Sequence, residues 1–133
     1  MQSAYEHAVI ITSKGEVLHC SGDEHGIPKA YFYQIQDKLK GAHVTHNHPK
    51  GALENDNTFS DDDFNNFKYF KMARLRGIDE RFVYELNRNA EDNELAGHDL
   101  TEIGGLGFDY ADYHVSIMLK ALIEGFGYRR WLR

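Results

Sequence analysis

The chain has 133 residues, and its 15 lysines and arginines against 21 aspartates and glutamates give a net charge of −6. This acidic balance argues against nucleic acid and anionic membranes as partners, because both require a basic protein surface. The length predicts a single domain, 1–133, with a packed core. The single cysteine, Cys20, excludes an internal disulfide and any zinc site built from several cysteines.

The chain contains neither a predicted membrane span nor a secretory signal. No apolar run approaches about 18 residues, and the first six residues do not place an apolar stretch after a basic one. We therefore expect a cytoplasmic protein. Because the chain starts close to a predicted strand, we also expect it to be part of a larger polypeptide.

Strand and helix patterns alternate along the chain. Two β-branched runs separated by a turn at Gly15 predict an antiparallel hairpin. The predicted elements, in chain order, are strands over 8–12 and 16–20, a helix over 28–41, a strand over 42–46, a polar loop over 50–59, a helix over 60–77, a strand over 81–86, a loop over 88–109, a helix over 110–125 and a tail over 128–133. This order predicts an α/β (α+β) protein with a mixed β-sheet flanked by helices.

The most informative residues are 46–49, which read His-Asn-His-Pro, and 60–63, which read Ser-Asp-Asp-Asp. In an extended backbone His46 and His48 project to the same side. Asp63 falls in the first turn of the predicted helix, where the helix dipole favours a carboxylate. Two imidazoles and one carboxylate form the three-ligand zinc site with an open position that hydrolases use.

A simpler interpretation accounts for part of this pattern. Ser60 and Asp63 also form an ordinary helix start, with an N-cap serine and an acidic residue three positions later. That interpretation does not account for the two histidines. Successive helix residues are about 100° apart, so one of the three aspartates can face the histidines. Asp63 is the first choice and Asp62 the reserve.

Zinc-assisted hydrolysis also requires a proton acceptor that is not a metal ligand. Glu6 lies at the start of the first predicted strand and is modestly favoured for this role. Glu16 lies at the opposite end of the hairpin, and Glu24 lies in a glycine-flanked loop. The residues by themselves leave the choice open among these three.

Taken together, Glu6, the His-Asn-His-Pro motif over 46–49 and the pair Ser60 and Asp63 resemble the JAMM (JAB/MPN+) metalloprotease family. The resemblance covers roughly 5–87. It points to the bacterial and phage branch, whose domains are attached to phage head-morphogenesis proteins and polymorphic toxins, and more distantly to RadC-like proteins. It implies the JAB/MPN fold, which is similar to that of cytidine deaminases.

The resemblance also implies a role for each motif residue. His46, His48 and Asp63 would bind Zn²⁺, Glu6 would act as general base, and Ser60 would stabilise the oxyanion. The implied activity is that of a zinc metallopeptidase or isopeptidase acting on a protein or peptide substrate.

Two departures from the family qualify the resemblance. The loop over 50–59 is longer than usual, which a surface loop tolerates, and no inserts of the kind that bind ubiquitin are present. Ubiquitin is therefore not the expected substrate. The alternative function is a catalytically silent module of the same fold that serves in binding or assembly, for example in phage head morphogenesis.

Overall fold

A computed structural model describes residues 5–22, 27–48, 57–107 and 112–133. In this part of the chain six strands form a sheet with the order β2-β1-β3-β4-β5-β6. The elements are β1 (His7–Ile11), β2 (Val17–Ser21), α1 (Lys29–Gln34), α2 (Gln36–Leu39), β3 (His43–Asn47), α3 (Asp61–Tyr69), β4 (Arg74–Ile78), β5 (Phe82–Asn87), a 3-10 helix (Ala90–Asp92), α4 (Leu100–Gly104), α5 (Tyr113–Glu124) and β6 (Gly127–Leu132).

The sheet is mixed, as predicted. β3 and β4 are parallel, whereas the other neighbouring strands are antiparallel. Parallel strands require a crossover, and α3 supplies it between β3 and β4. The N-terminus of α3 therefore lies near the carboxyl end of β3, which places the two halves of the predicted metal motif together.

A single hydrophobic cluster lies against the sheet. Alternate strand residues such as Ile10, Val44 and Leu86 are at most 2% exposed, and Phe67 and Ile117 from the helices belong to the same cluster. This alternation is the period of a strand with one face in the core. None of the helices in the described ranges is long and apolar enough to cross a membrane.

The predicted helix over 60–77 is wrong in its second half, because α3 ends at Tyr69 and β4 begins at Arg74. Lys71 adopts a left-handed conformation with φ of 57°. This reversal lets Phe70 and Met72 both enter the core, at 3% and 1% exposure. The helical spacing of Leu75 was misleading, since the alternation of Arg and apolar residues around it fits a strand equally well.

Three other predicted boundaries differ from the structure. The tail over 128–133 is largely β6, which pairs with β5. The predicted loop over 88–109 contains the 3-10 helix and α4, and the predicted helix over 28–41 is divided into α1 and α2. Most of the predicted loop over 50–59 lies outside the described residues, but Phe59 at its end is fully buried.

The sheet face opposite the core carries a buried carboxylate surrounded by arginines. Glu85 on β5 is 1% exposed. Its Oε1 accepts a hydrogen bond from Arg76 at 2.7 Å, and its Oε2 accepts one from Arg129 at 3.0 Å. Burial by itself would raise the pKa of Glu85, but hydrogen bonds from Arg76, Asn87 and Arg129 hold that pKa below its ordinary value.

We expect this cluster to make the fold sensitive to acid. Because the folded-state pKa of Glu85 is depressed, its stabilisation is present above the unfolded-state pKa of about 4.3 and is lost as the pH falls through the folded value. Glu85→Gln should lower the free energy of unfolding at neutral pH and flatten its decline in acid. Denaturant titrations between pH 7 and pH 3 measure both effects. Glu124→Gln, which removes an exposed ion pair with Lys68, is the matched control and should change little.

Candidate metal centre

The two motif histidines project from the end of β3 toward the core side of the sheet. His46 and Val44, two positions apart, both lie on the buried face of the strand. The backbone N–H of His48 donates to the carbonyl of Ile78 at 2.8 Å, so the chain still follows β4 at this point. Both histidines are buried, at 5% and 8% residue exposure. The extended backbone therefore places them on the same side, as the sequence predicts.

Asp63 completes a group of three ligand-type side chains. The Nε2 atoms of His46 and His48 are 3.0 Å apart. Asp63 Oδ2 lies 3.0 Å from Nε2 of His48 and 3.5 Å from Nε2 of His46. Within the described ranges these three residues form a group whose ligand atoms all lie within 4.8 Å of one another. The group could hold a metal ion.

The outer nitrogen of each imidazole also has a partner. His48 Nδ1 lies 2.8 Å from the hydroxyl of Tyr84, and His46 hydrogen-bonds to the backbone of Arg76. Such partners orient metal-binding histidines and select the tautomer that leaves the inner nitrogen for the ion. Both rings therefore direct Nε2 toward Asp63.

Two aromatic rings enclose the histidines. Phe59 stacks on His46 with ring centroids 6.0 Å apart, and Tyr84 lies 5.4 Å from the His48 ring. Phe59 and Tyr84 meet edge to face at 4.9 Å, and both are fully buried. Neither was identified from the sequence, because Tyr84 lies on a predicted strand and Phe59 in a predicted polar loop.

Ser60 and Asp63 form the helix start that the sequence also allows. Ser60 Oγ accepts from the N–H of Asp63 at 3.0 Å, and Asp63 Oδ2 accepts from the N–H of Ser60 at 3.1 Å. The two interpretations are compatible, since the same Oδ2 also faces both histidines. The cap uses Ser60 Oγ as an acceptor and does not consume its hydroxyl proton.

The neighbouring aspartates lie away from the group. Asp61 is exposed and its Oδ1 lies 2.5 Å from Nζ of Lys120. Asp62 is also exposed and does not belong to the ligand-type group. The structure thus places Asp63, rather than the reserve Asp62, beside the histidines.

The pKa shifts in the group favour a negative charge on Asp63 and a positive charge beside it. Burial by itself would raise the pKa of Asp63, but the charges and hydrogen bonds of His46 and His48 hold that pKa well below its usual range. Burial by itself would lower the pKa of His46, but Asp63 and Glu6 raise it above its ordinary value. A metal ion would supply the same positive charge in place of a proton.

Glu6 lies beside this group without belonging to it. Burial raises the pKa of the Glu6 carboxyl above its ordinary value, although the nearby charges of His46 and His48 lower it in part. Glu16, one of its rivals, is exposed and pairs with Lys38 at 3.0 Å on the opposite end of the hairpin. The other rival, Glu24, lies outside the described residues, as does Pro49 of the motif.

Gly77 makes room for the tyrosine that contacts His48. Gly77 on β4 pairs with Tyr84 on β5, and a Cβ on Gly77 would overlap the tyrosine ring, reaching within 2.8 Å of Cδ2. Any larger residue at this position would displace the ring and its hydroxyl.

We therefore expect Gly77→Ala to reduce both stability and metal affinity. Forcing an extra methyl group into a packed core costs about 1–3 kcal/mol. Disturbing an outer partner of a metal-binding histidine weakens metal affinity by about 10–100-fold. Thermal unfolding and zinc titration measure the two effects. Gly104→Ala is the control, because a Cβ there meets open space, and equal behaviour of the two variants would contradict the prediction.

Comparison of the chain with protein-family models, curated proteins and solved structures gives no match in any of the three. The functional conclusion therefore depends on the geometry of the site and on the motif that carries it.

Proposed function

We propose that the protein is a zinc-dependent hydrolase that cleaves a peptide or isopeptide bond. His46, His48 and Asp63 bind the ion, Glu6 is the general base and Ser60 donates to the oxyanion. The observation that carries the proposal is the convergence of three ligand atoms, 3.0 to 3.5 Å apart, next to a carboxylate that is not one of them.

The donor set fits zinc. Ligands placed tetrahedrally about 2.0–2.1 Å from zinc are about 3.3 Å from one another. The separations within the group, 3.0, 3.0 and 3.5 Å, bracket that value. Two histidines and a carboxylate also suit ferrous iron. The adjacent Glu6 supports hydrolysis, because this reaction needs a proton acceptor beside the metal.

Each protein group has a defined part in the reaction. Zinc, when bound, would lower the pKa of water toward neutrality and polarise a carbonyl group. Glu6 accepts the proton that water loses as its oxygen bonds to the carbonyl carbon. Glu6 then returns the proton to the nitrogen when the C–N bond breaks. The hydroxyl of Ser60 donates to the oxyanion between these steps.

The choice of a peptide or isopeptide substrate follows from the resemblance to the JAMM family. In that family a glutamate, two histidines, a serine and an aspartate occur in this order along the chain. The same parts on this chain are Glu6, His46, His48, Ser60 and Asp63.

Zinc titration and a cleavage assay test the proposal together. Protein stripped with a chelator should take up about one zinc per chain. The reloaded protein should cleave members of a panel of unstructured peptides and lysine-linked isopeptides, with products identified by mass spectrometry. His43→Ala removes an exposed histidine on the same strand and should change neither result.

Two outcomes would contradict the proposal. Substoichiometric zinc, or displacement of zinc by ferrous iron at equal concentration, would remove the metal assignment. Full zinc occupancy with no metal-dependent cleavage of any substrate would instead identify a binding module.

A further inference from the structure

Asn47, the residue between the two histidines, has its side chain bound to the backbone on both sides of Glu6. Its Oδ1 accepts a hydrogen bond from the N–H of His7 at 2.5 Å. Its Nδ2 donates to the carbonyl of Tyr5 at 2.9 Å. These are the N–H of the residue after Glu6 and the C=O of the residue before it, so one carboxamide binds both peptide groups that Glu6 joins.

The carboxamide of Asn47 makes the hydrogen bonds to the backbone around Glu6 that the backbone of a neighbouring strand would otherwise make. β1 and β3 are paired as far as Ala8 and His46. Beyond this pair the chain follows β4, because the N–H of His48 donates to Ile78. The side chain of Asn47 supplies both the donor and the acceptor that a strand would have offered.

This contact fixes the direction of the Glu6 side chain. In extended backbone, Glu6 projects to the same face as Ala8, which is 2% exposed, and therefore to the face of His46. The carbonyl of Glu6 also accepts from the N–H of Gly22 at 2.8 Å. The backbone of Glu6 is thus held from β3 on one side and from the chain beyond β2 on the other.

We infer that Asn47 is a positioning residue that holds the general base Glu6 against the metal group. The inference rests on the proposed function, since Glu6 acts as a general base only if the site hydrolyses a substrate. It assigns a role to the middle residue of the His-Asn-His motif. One short segment then carries metal ligands on one face and the device that orients the base on the other.

Asparagine is the side chain that this role requires. Aspartate keeps the acceptor for the N–H of His7 but places a second oxygen against the carbonyl of Tyr5. Alanine removes both contacts. We therefore expect Asn47→Ala to have the larger effect and Asn47→Asp an intermediate one.

The test compares Asn47→Ala, Asn47→Asp and Thr45→Ala, the last being the control from the same face of β3. Because misplacement of a catalytic group by about 1 Å can cost about 100-fold in rate, kcat of Asn47→Ala should fall about 10–100-fold. KM and zinc affinity should stay within about threefold of their wild-type values, because Asn47 contacts neither the substrate nor the ion. Hydrogen exchange of the His7 amide, followed by NMR in the zinc-loaded protein, should become faster in Asn47→Ala and stay unchanged in Thr45→Ala.

A double variant shows whether Asn47 acts through Glu6. In a Glu6→Gln background, Asn47→Ala should cause no further loss of kcat, because the base is already absent. A further loss, or a loss of zinc affinity in proportion to kcat, would overturn the inference. Wild-type kcat in Asn47→Ala would also overturn it.

Failure of the proposed function gives a different result. If the wild-type protein cleaves nothing, the hydrolase proposal fails. The contact made by Asn47 can still be measured, from the exchange rate of the His7 amide and from the position of Glu6 in a crystal structure of Asn47→Ala. An unchanged His7 amide together with an unmoved Glu6 side chain would overturn the positioning role by itself.

Discussion

Glu6→Gln is expected to reduce hydrolysis by about 100- to 10,000-fold while leaving zinc affinity unchanged. Glutamine has the shape of glutamate and can still accept the hydrogen bond from the backbone of Ile27. It cannot take a proton from water at neutral pH. Since Glu6 lies outside the ligand-type group, its replacement should not disturb the ion.

The control for this experiment is Glu16→Gln. Glu16 belongs to the same hairpin but pairs with Lys38 on its exposed end. Steady-state kinetics on the best substrate of the panel, combined with zinc titration of both variants, measure the difference. Comparable activity in the two variants would show that another group accepts the proton.

His48→Ala is expected to abolish zinc binding and, with it, hydrolysis. The substitution removes one of three ligand atoms and leaves two that lie 3.5 Å apart. In wild type, zinc at 100 times its dissociation constant should stabilise the folded state by about 2.7 kcal/mol, seen as a higher Tm. The variant should show no such increase.

His48→Ala also lowers the stability of the metal-free protein. The hydroxyl of Tyr84 loses its contact with Nδ1 of His48 at 2.8 Å, and the loss of one such hydrogen bond costs about 0.5–1.5 kcal/mol. Asp79 also interacts with this hydroxyl. The informative quantity is therefore the change in Tm on adding zinc, measured separately for each variant. His43→Ala should retain the wild-type change, and a zinc-dependent increase in His48→Ala would remove His48 from the ligand set.

The sequence predicted the elements whose evidence is local. The hairpin of β1 and β2, the strand β3 and the helix α5 follow from patterns with periods of two or 3.6 residues, and the mixed sheet follows from their order. It failed where two patterns coincide, as over 60–77, where Leu75 suits a helix and a strand equally. A chain reversal at Lys71 has no such pattern, because lysine, unlike glycine or asparagine, has no intrinsic preference for the left-handed conformation that it adopts there.

The sequence by itself also predicted the three side chains of the ligand-type group. Alternation along β3 places His46 and His48 on one side, and the first turn of α3 carries Asp63. Each of these placements depends on at most four consecutive residues. The crossover from β3 to β4 then brings the two segments together, and that step is decided by the parallel pairing of the strands.

Only the tertiary structure decided which residues surround this group. Tyr84 reaches His48 across 36 positions of the chain, and Asn47 reaches His7 and Tyr5 across 40 and 42. Contacts between residues so far apart in the chain depend on which strands become neighbours and in which register. Neither can be inferred from the periodicity of a short stretch of sequence. The position of Glu6 beside His46, and of Glu16 away from it, has the same cause, because β3 pairs with β1 in a register that sets Ala8 opposite His46.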